Sequence, residues 1–147
     1  MVAMKDQEFI KQLEDNRIVN AIRDAELKTS GEIRVVISGK NVDDAVAAAQ
    51  SEFVRLGMGK TQERNGVLVF VAPRARQFAV IGDEGIHKHC GEDFWRGLAA
   101  EMTGQFKDGR YTDGLVAVVR KAGELLALHF PRRADDRNEL PDRVQRD

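Results

Sequence analysis

Two carboxylates lie side by side between two glycines in the segment Gly82-Asp83-Glu84-Gly85. An apolar run precedes the segment and a helix-period pattern follows it, so both acids lie where a strand ends and a helix begins. Carboxylate oxygens are the ligands that Ca²⁺, Mg²⁺ and Mn²⁺ prefer. We therefore predict a divalent-cation site on Asp83 and Glu84, with Glu32, beside the first strand, as a third ligand. The alternative is a helix cap, in which Asp83 accepts hydrogen bonds from free amides of the first turn.

Polar side chains also precede the second strand. Lys60, Arg64 and Asn65 are candidate contacts for an anion, and the alternative is a solvated loop. The adjoining segment Gly57-Met58-Gly59-Lys60-Thr61 is similar to the end of a phosphate-binding loop. We reject that motif because Val54 stands where its earlier glycine should be, and because the segment closes a helix instead of opening one.

Three metal-ligating side chains occur within the four residues His87-Lys88-His89-Cys90. Residues two positions apart on a helix point in different directions, and the spacing matches no standard zinc pattern. Cys90 could act as a nucleophile only with a base and a lowered pKa, and the sequence shows neither. We predict a structural or surface role for this segment.

A second glycine-rich segment, FKDGRYTDG at residues 106–114, contains two aspartates. Asp108 or Asp113 could complete the cation site if this turn lay near Asp83. A glycine turn followed by Thr112 as the N-cap of the last helix explains the same residues, and we favour that interpretation.

The composition is that of one globular domain. The chain has 147 residues, of which 42% are hydrophobic and 32% charged, and its net charge is −1. The absence of a basic excess argues against nucleic-acid binding. A single cysteine excludes an intrachain disulfide, and no apolar window is long enough to span a membrane. The charged amino terminus is unlike a signal peptide, so we predict a cytoplasmic protein.

Hydrophobic periodicity predicts the order α(α)–β–α–β–β–α–α. A helix joins the first two strands, which should therefore be parallel, and a short turn joins the second and third as an antiparallel hairpin. We predict a small three-layer α/β/α sandwich with a mixed sheet covered by helices on both faces. The predicted helices cover residues 5–28, as one bent helix or two, 43–56, 86–106 and 113–130, and the strands cover 33–37, 67–72 and 78–81.

Residues 1–131 form the predicted domain, and residues 132–147 form a charged tail. The tail contains five arginines and five acids, so we expect it to be solvated and partly disordered. Leu140 and Val144 could still dock on the domain. Within the helices, we expect Val46 and Leu128 to belong to the buried apolar stripes.

Five segments in this order are similar to those of the TPM domain family, which is named after a thylakoid-lumen protein, a photosystem II repair factor and a nematode receptor modulator. The resemblance covers about residues 16–130. The segments are Thr29-Ser30-Gly31-Glu32-Ile33-Arg34-Val35, Phe53…Leu56-Gly57-Met58, Arg64-Asn65-Gly66-Val67-Leu68-Val69, Gly82-Asp83-Glu84-Gly85-Ile86 and Phe106…Gly109…Tyr111…Gly114-Leu115.

The resemblance implies an α/β/α sandwich and either binding of Ca²⁺ or another divalent cation, or weak acid phosphatase activity. The resemblance implies that Asp83 belongs to the functional site and, less directly, that Glu32, Arg64 and Asn65 do. We predict a divalent-cation-binding interaction module. The first alternative is a metal-assisted phosphomonoesterase, with Asp83 or a metal-bound water as nucleophile and Arg64 stabilising the negative charge that develops. The second alternative is a metal-free domain that binds a protein partner.

Overall fold

The computed structural model describes residues 11, 13–132 and 144–146, and within them it contains four helices and four strands. Two short 3₁₀ turns, Met58–Lys60 and Pro73–Ala75, precede β2 and β3 respectively. In chain order the elements are α1 (Asp15–Glu26), β1 (Glu32–Ile37), α2 (Ala45–Arg55), β2 (Gly66–Ala72), β3 (Gln77–Gly82), α3 (Glu84–Lys107), α4 (Tyr111–His129) and β4 (Gln145–Arg146).

The strands form one mixed sheet in the order β3-β2-β1-β4. β1 and β2 are parallel, with Glu32 opposite Gly66. β2 and β3 form an antiparallel hairpin, with Val67 opposite Gly82. The predicted parallel pair and hairpin are therefore confirmed.

The short strand β4 was not predicted, and it comes from the segment that we assigned to the tail. It pairs in parallel with the end of β1, and Val144, just before it, packs against the core as the sequence allowed. The predictions for residues 133–143, including the docking of Leu140, lie outside the described residues.

Helices cover both faces of the sheet, as predicted. The larger core lies between the sheet and the helices α1, α3 and α4. The smaller core lies between the opposite face and α2, with Met58 from the turn that follows α2. All seven residues of β2 are buried, because this central strand is covered on both faces. None of the helices in the described part of the chain is long and apolar enough to cross a bilayer.

The structure decides between the two predicted arrangements of the first helical segment and corrects the start of the last helix. Leu13 and Glu14 are not helical and α1 begins at Asp15, so a single helix over residues 5–28 is excluded. The last helix begins at Tyr111, and Thr112 is not its cap. The Thr112 hydroxyl instead accepts a hydrogen bond from the Glu14 backbone, at 3.1 Å, and so ties α4 to the start of α1.

Two apolar side chains that we placed in buried stripes face solvent. Val46 on α2 is 51% exposed and Leu128 on α4 is 74% exposed. A period of 3.6 residues assigns both to the edge of an apolar face, but the neighbouring elements do not extend far enough to cover them. Val46 borders a cleft, described next.

Candidate functional site

A cleft of about 720 Å³ lies along β3, between α2 and α3. We call it the β3 cleft. It is lined on the α2 side by Phe53 and Val54, on its floor by Ile81 and Gly82, and on the α3 side by Trp95 and Arg96. Lys60, Arg64 and Asp83 also line it, so the predicted strand–helix turn forms part of its wall.

Arg64 and Asp83 form a two-pronged ion pair in the wall of this cleft. The Arg64 Nε and Nη2 atoms donate to the two Asp83 carboxylate oxygens at 2.8 and 3.0 Å. These hydrogen bonds, and then the charge of Asp83, raise the pKa of the Arg64 guanidinium above its ordinary value. The structure therefore brings together both residues predicted as catalytic, and pairs them with each other.

Local backbone geometry sets up this pair. Arg64 adopts a left-handed conformation, with φ of 53°, which is uncommon outside glycine. Its carbonyl accepts a hydrogen bond from the Gly85 amide at 2.8 Å. A Cβ on Gly85 would overlap with the carbonyl oxygens of Glu63 and Arg64, so only glycine permits this approach. Gly82 is required for a similar reason, because the Trp95 ring lies against it.

Asp83 is also the N-cap of α3, as the alternative interpretation held. Its side chain accepts a hydrogen bond from the Glu84 backbone at 2.8 Å and is itself 7% exposed. The carboxylate is thus shared between the helix start and Arg64. The Glu84 carboxylate is 73% exposed and lies 3.3 Å from the Arg64 Nη1 atom.

Glu32, the third predicted ligand, belongs to a different cluster. Its carboxylate pairs with the Arg34 Nη2 atom at 3.1 Å, and the Arg34 Nη1 atom pairs with Glu26 of α1 at 2.8 Å. The three side chains are no more than 7% exposed. The structure therefore assigns Glu32 to a buried ion-pair network that joins α1 to β1, which sequence reasoning missed. An arginine between apolar strand residues, close to two glutamates, was the available signal.

These placements do not fit a divalent-cation site as they stand. Asp83 already accepts donors from Arg64 and the helix, and Glu32 is engaged by Arg34. Among the described residues, no group of three or more His, Cys, Asp and Glu side chains is arranged to hold a metal ion. Asp113 pairs with Arg17 of α1 at 2.6 Å, and Asp108 is the C-cap of α3.

The histidine–cysteine segment has separate structural contacts. The His87 Nδ1 atom accepts a hydrogen bond from the Trp95 indole at 3.2 Å. His89 stacks on His129 of α4, with ring centroids 4.4 Å apart. Partial burial raises the pKa of the Cys90 thiol above its ordinary value, which disfavours the reactive thiolate.

Known proteins share both the sequence pattern and the fold of this chain. The sequence matches the family model described as the TPM domain over residues 4–125. The chain belongs to the TPM domain family. The BA42 protein of the psychrophilic bacterium Bizionia argentinensis has a solution structure similar to this TPM domain, with a TM-score of 0.82, 38% sequence identity, and coverage of 99% of this chain and 96% of BA42.

A more distant structure shares the fold of this TPM domain. It is the N-terminal domain of cg2496 from Corynebacterium glutamicum, with a TM-score of 0.61 and 16% identity over 79% of this chain and 75% of that one. No curated protein matches the sequence. The comparisons therefore establish the family and the fold, and they assign no ligand or reaction to this TPM domain.

Proposed function

We propose that this TPM domain is an interaction domain that binds a partner protein in the β3 cleft. The observation that carries the proposal is apolar surface left open on the cleft wall. Val54 is 77% exposed and Val46 is 51% exposed, although α2 packs against the sheet. Apolar side chains grouped at a concave surface are typical of binding sites.

The charged groups of the cleft support binding more than catalysis. Arg64 donates two hydrogen bonds to the Asp83 carboxylate, so this carboxylate is not free to attack a phosphate or move a proton. A phosphomonoesterase that used these two residues would have to open the pair first. A protein partner needs no such rearrangement, because it can cover the pair together with the apolar wall.

Cation binding at the Asp83–Glu84 turn stays a prediction, and one observation favours it. The Glu84 carboxylate is largely exposed and adjoins Asp83 in the chain. Arg64 competes for the same oxygens, so a cation must displace the guanidinium to bind both acids. Cation binding would therefore be stronger in a variant that lacks Arg64 than in the natural protein.

Site-specific photo-crosslinking tests the interaction proposal. A photoreactive amino acid is placed at Val54 on the cleft wall, or at Leu128 on α4, in cells that express the chain. The two positions match, because both are exposed apolar residues on helices. We expect a discrete crosslinked protein from position 54, competed by excess unlabelled domain, and only background from position 128.

The opposite results are equally informative. No crosslink from position 54, or the same products from both positions, would contradict a protein partner in the β3 cleft. Crosslinks from position 128 alone would move the interaction surface to α4.

A further inference from the structure

The outer edge of β3 carries unpaired backbone groups inside the cleft. The Asp83 N–H donates to the Gly66 carbonyl at 2.9 Å, which fixes the phase of the antiparallel ladder. Alternate residues in such a ladder bond to opposite sides. The N–H and C=O groups of Phe78, Val80 and Gly82 therefore point away from β2. No hydrogen bond within the described residues reaches these outward groups, since β3 is the last strand of the sheet.

The cleft straddles this edge and does not lie on one face of the sheet. Val80 packs in the core on the α3 side, and Ile81 packs against the core on the α2 side. Both residues nevertheless line the cleft. α2 and α3 thus form two walls with the free edge of β3 between them, which leaves a slot for one extended chain.

We propose that an extended segment of a partner protein enters this slot and adds to the sheet as a fifth strand, hydrogen-bonded to β3. The inference rests on the proposed function and specifies how the partner binds. Strand addition of this kind gains affinity from backbone hydrogen bonds and specificity from alternate side chains. β3 has six residues, so the segment that it can pair is about six residues long, or about 20 Å.

The chemistry of the walls defines the segment. Alternate side chains of an added strand face the two walls in turn. One set meets the apolar α2 wall at Phe53 and Val54, and the other set meets Trp95. We therefore expect apolar residues at alternate positions of the segment.

Charge places an acidic residue at one end of the segment. Lys60, Arg64 and Arg96 line the cleft, and carboxylates already pair with both arginines. Asp83 and Glu84 pair with Arg64, and Glu92 and Asp93 pair with Arg96. Lys60 forms no ion pair with another described residue. Lys60 lies near the Gly82 end of β3. The Met58 carbonyl, in the same turn as Lys60, approaches Gly66, and the next residue, Val67, is opposite Gly82 in the sheet. A carboxylate side chain there would complement the charge.

The opposite edge of the same sheet shows that a short segment can pair in this way. Gln145 and Arg146 add to β1 as a two-residue parallel strand. A second copy of the chain fits the β3 slot less well, because its own β3 is flanked by α2 and α3, which would meet the same two helices.

Selection of peptides by phage display tests the proposal without a known partner. A random peptide library is selected on the immobilised full-length chain, and affinities of the resynthesised peptides are measured for the natural protein, Val54→Arg and Leu128→Arg. We expect peptides with alternating apolar residues and a terminal acid. Val54→Arg should weaken them about ten-fold or more, and the matched Leu128→Arg should leave their affinity within about two-fold.

Amide exchange measured by NMR then distinguishes strand addition from other modes of binding. A bound peptide should slow exchange of the Phe78, Val80 and Gly82 amides about ten-fold or more. Exchange at Ala79 and Ile81 should change little, because these amides already bond to β2. N-methylation of the peptide amides that face β3 should abolish binding, and N-methylation of the alternate amides that face away should preserve it.

The other outcomes distinguish failure of strand addition from failure of the proposed function. Peptides that depend on Val54 but leave the three outer amides unprotected would overturn strand addition and leave the proposed function standing. Failure to select any peptide, or binding insensitive to Val54→Arg, would overturn the inference, and the crosslinking experiment would decide the proposed function alone. A β3-dependent dimer in sedimentation would overturn it in favour of a second copy.

Discussion

The carboxylate of Asp83 serves two neighbours at once. It caps the first turn of α3 and accepts both hydrogen bonds of the Arg64 fork. The sequence predicted that Asp83 lies between a strand and a helix, and it offered both a ligand and a cap as roles. It could not show that Arg64, 19 positions earlier, reaches the same oxygens.

Substitutions at Asp83 separate its two roles. Asp83→Asn keeps a capping oxygen and removes the charge, whereas Asp83→Ala removes both. We expect Asp83→Ala to be less stable than Asp83→Asn by about 0.5–2 kcal/mol, the usual worth of an N-cap. Urea unfolding measures both values, and equal stabilities would show that the cap contributes nothing here.

Calcium, magnesium and manganese titrations of the natural protein, Asp83→Ala and Arg64→Met test the cation prediction. A bound cation raises the melting temperature by mass action. If Asp83 and Glu84 are ligands, the rise should be larger in Arg64→Met than in the natural protein, and absent in Asp83→Ala. A rise that persists in Asp83→Ala would place any cation elsewhere.

Cys90 should react slowly for a cysteine that is only half-buried. Burial raises the pKa of its thiol in the folded state, so at pH 8 the folded protein contains less thiolate than the unfolded chain. The rate of alkylation by iodoacetamide should rise with pH through a midpoint above that of the urea-unfolded protein. A folded midpoint below the unfolded one would contradict the burial argument.

At the scale of elements, the apolar runs predicted the three strands of the hairpin and crossover to within a residue or so at each end. β2 is the clearest case, because burial on both of its faces leaves a continuous apolar run in the sequence. The four predicted helices were located by the same periodicity. Periodicity did not reveal a break within α3, because the hydrophobic pattern of this helix is continuous.

Gly91 produces that break. Its φ of 69° and ψ of −177° interrupt α3, and only glycine adopts such values at low cost. Both parts of α3 reach the cleft, through His87 before the break and Trp95 after it. Both parts also pack against the core, through Ile86 and Leu98 respectively. A residue with a side chain at this position would have to straighten the helix or strain the backbone.

Two substitutions in the same helix test this explanation. A Cβ at Gly91 or at Gly97 would meet nothing within 4 Å, so packing does not distinguish them. Gly91→Ala should destabilise the domain by about 1–3 kcal/mol because of its positive φ, and Gly97→Ala should stabilise it by about 0.4–1 kcal/mol. Equal effects in thermal or urea unfolding would show that the kink costs nothing to remove.

At the scale of the whole molecule, the candidate site was only partly predictable. The turn at residues 82–85 was found because its glycines and acids adjoin in sequence. The β3 cleft is built from α2, β3 and α3, which come from widely separated parts of the chain. Sequence patterns assigned Val46 to the core, and only the tertiary arrangement shows which apolar side chains remain uncovered.

The Arg34 network gives the last prediction, because it joins the helical layer to the sheet inside the protein. Arg34 is 1% exposed and pairs with Glu26 and Glu32. Arg34→Met removes a cation that pairs with both buried carboxylates, and should cost about 3–5 kcal/mol. Urea unfolding followed by circular dichroism would measure the loss as a lower midpoint with an unchanged slope.

A compensated variant distinguishes buried charge from lost packing. Glu26→Gln and Glu32→Gln, combined with Arg34→Met, remove all three charges while nearly preserving the side-chain volumes. If uncompensated charge causes the loss, the triple variant should recover most of it, because neutral amides cost less to bury than carboxylates. A triple variant as unstable as Arg34→Met alone would show that the hydrogen bonds and packing of Arg34 hold α1 against β1. In that case Glu32 would still be a structural residue, since its carboxylate would be needed to position the arginine.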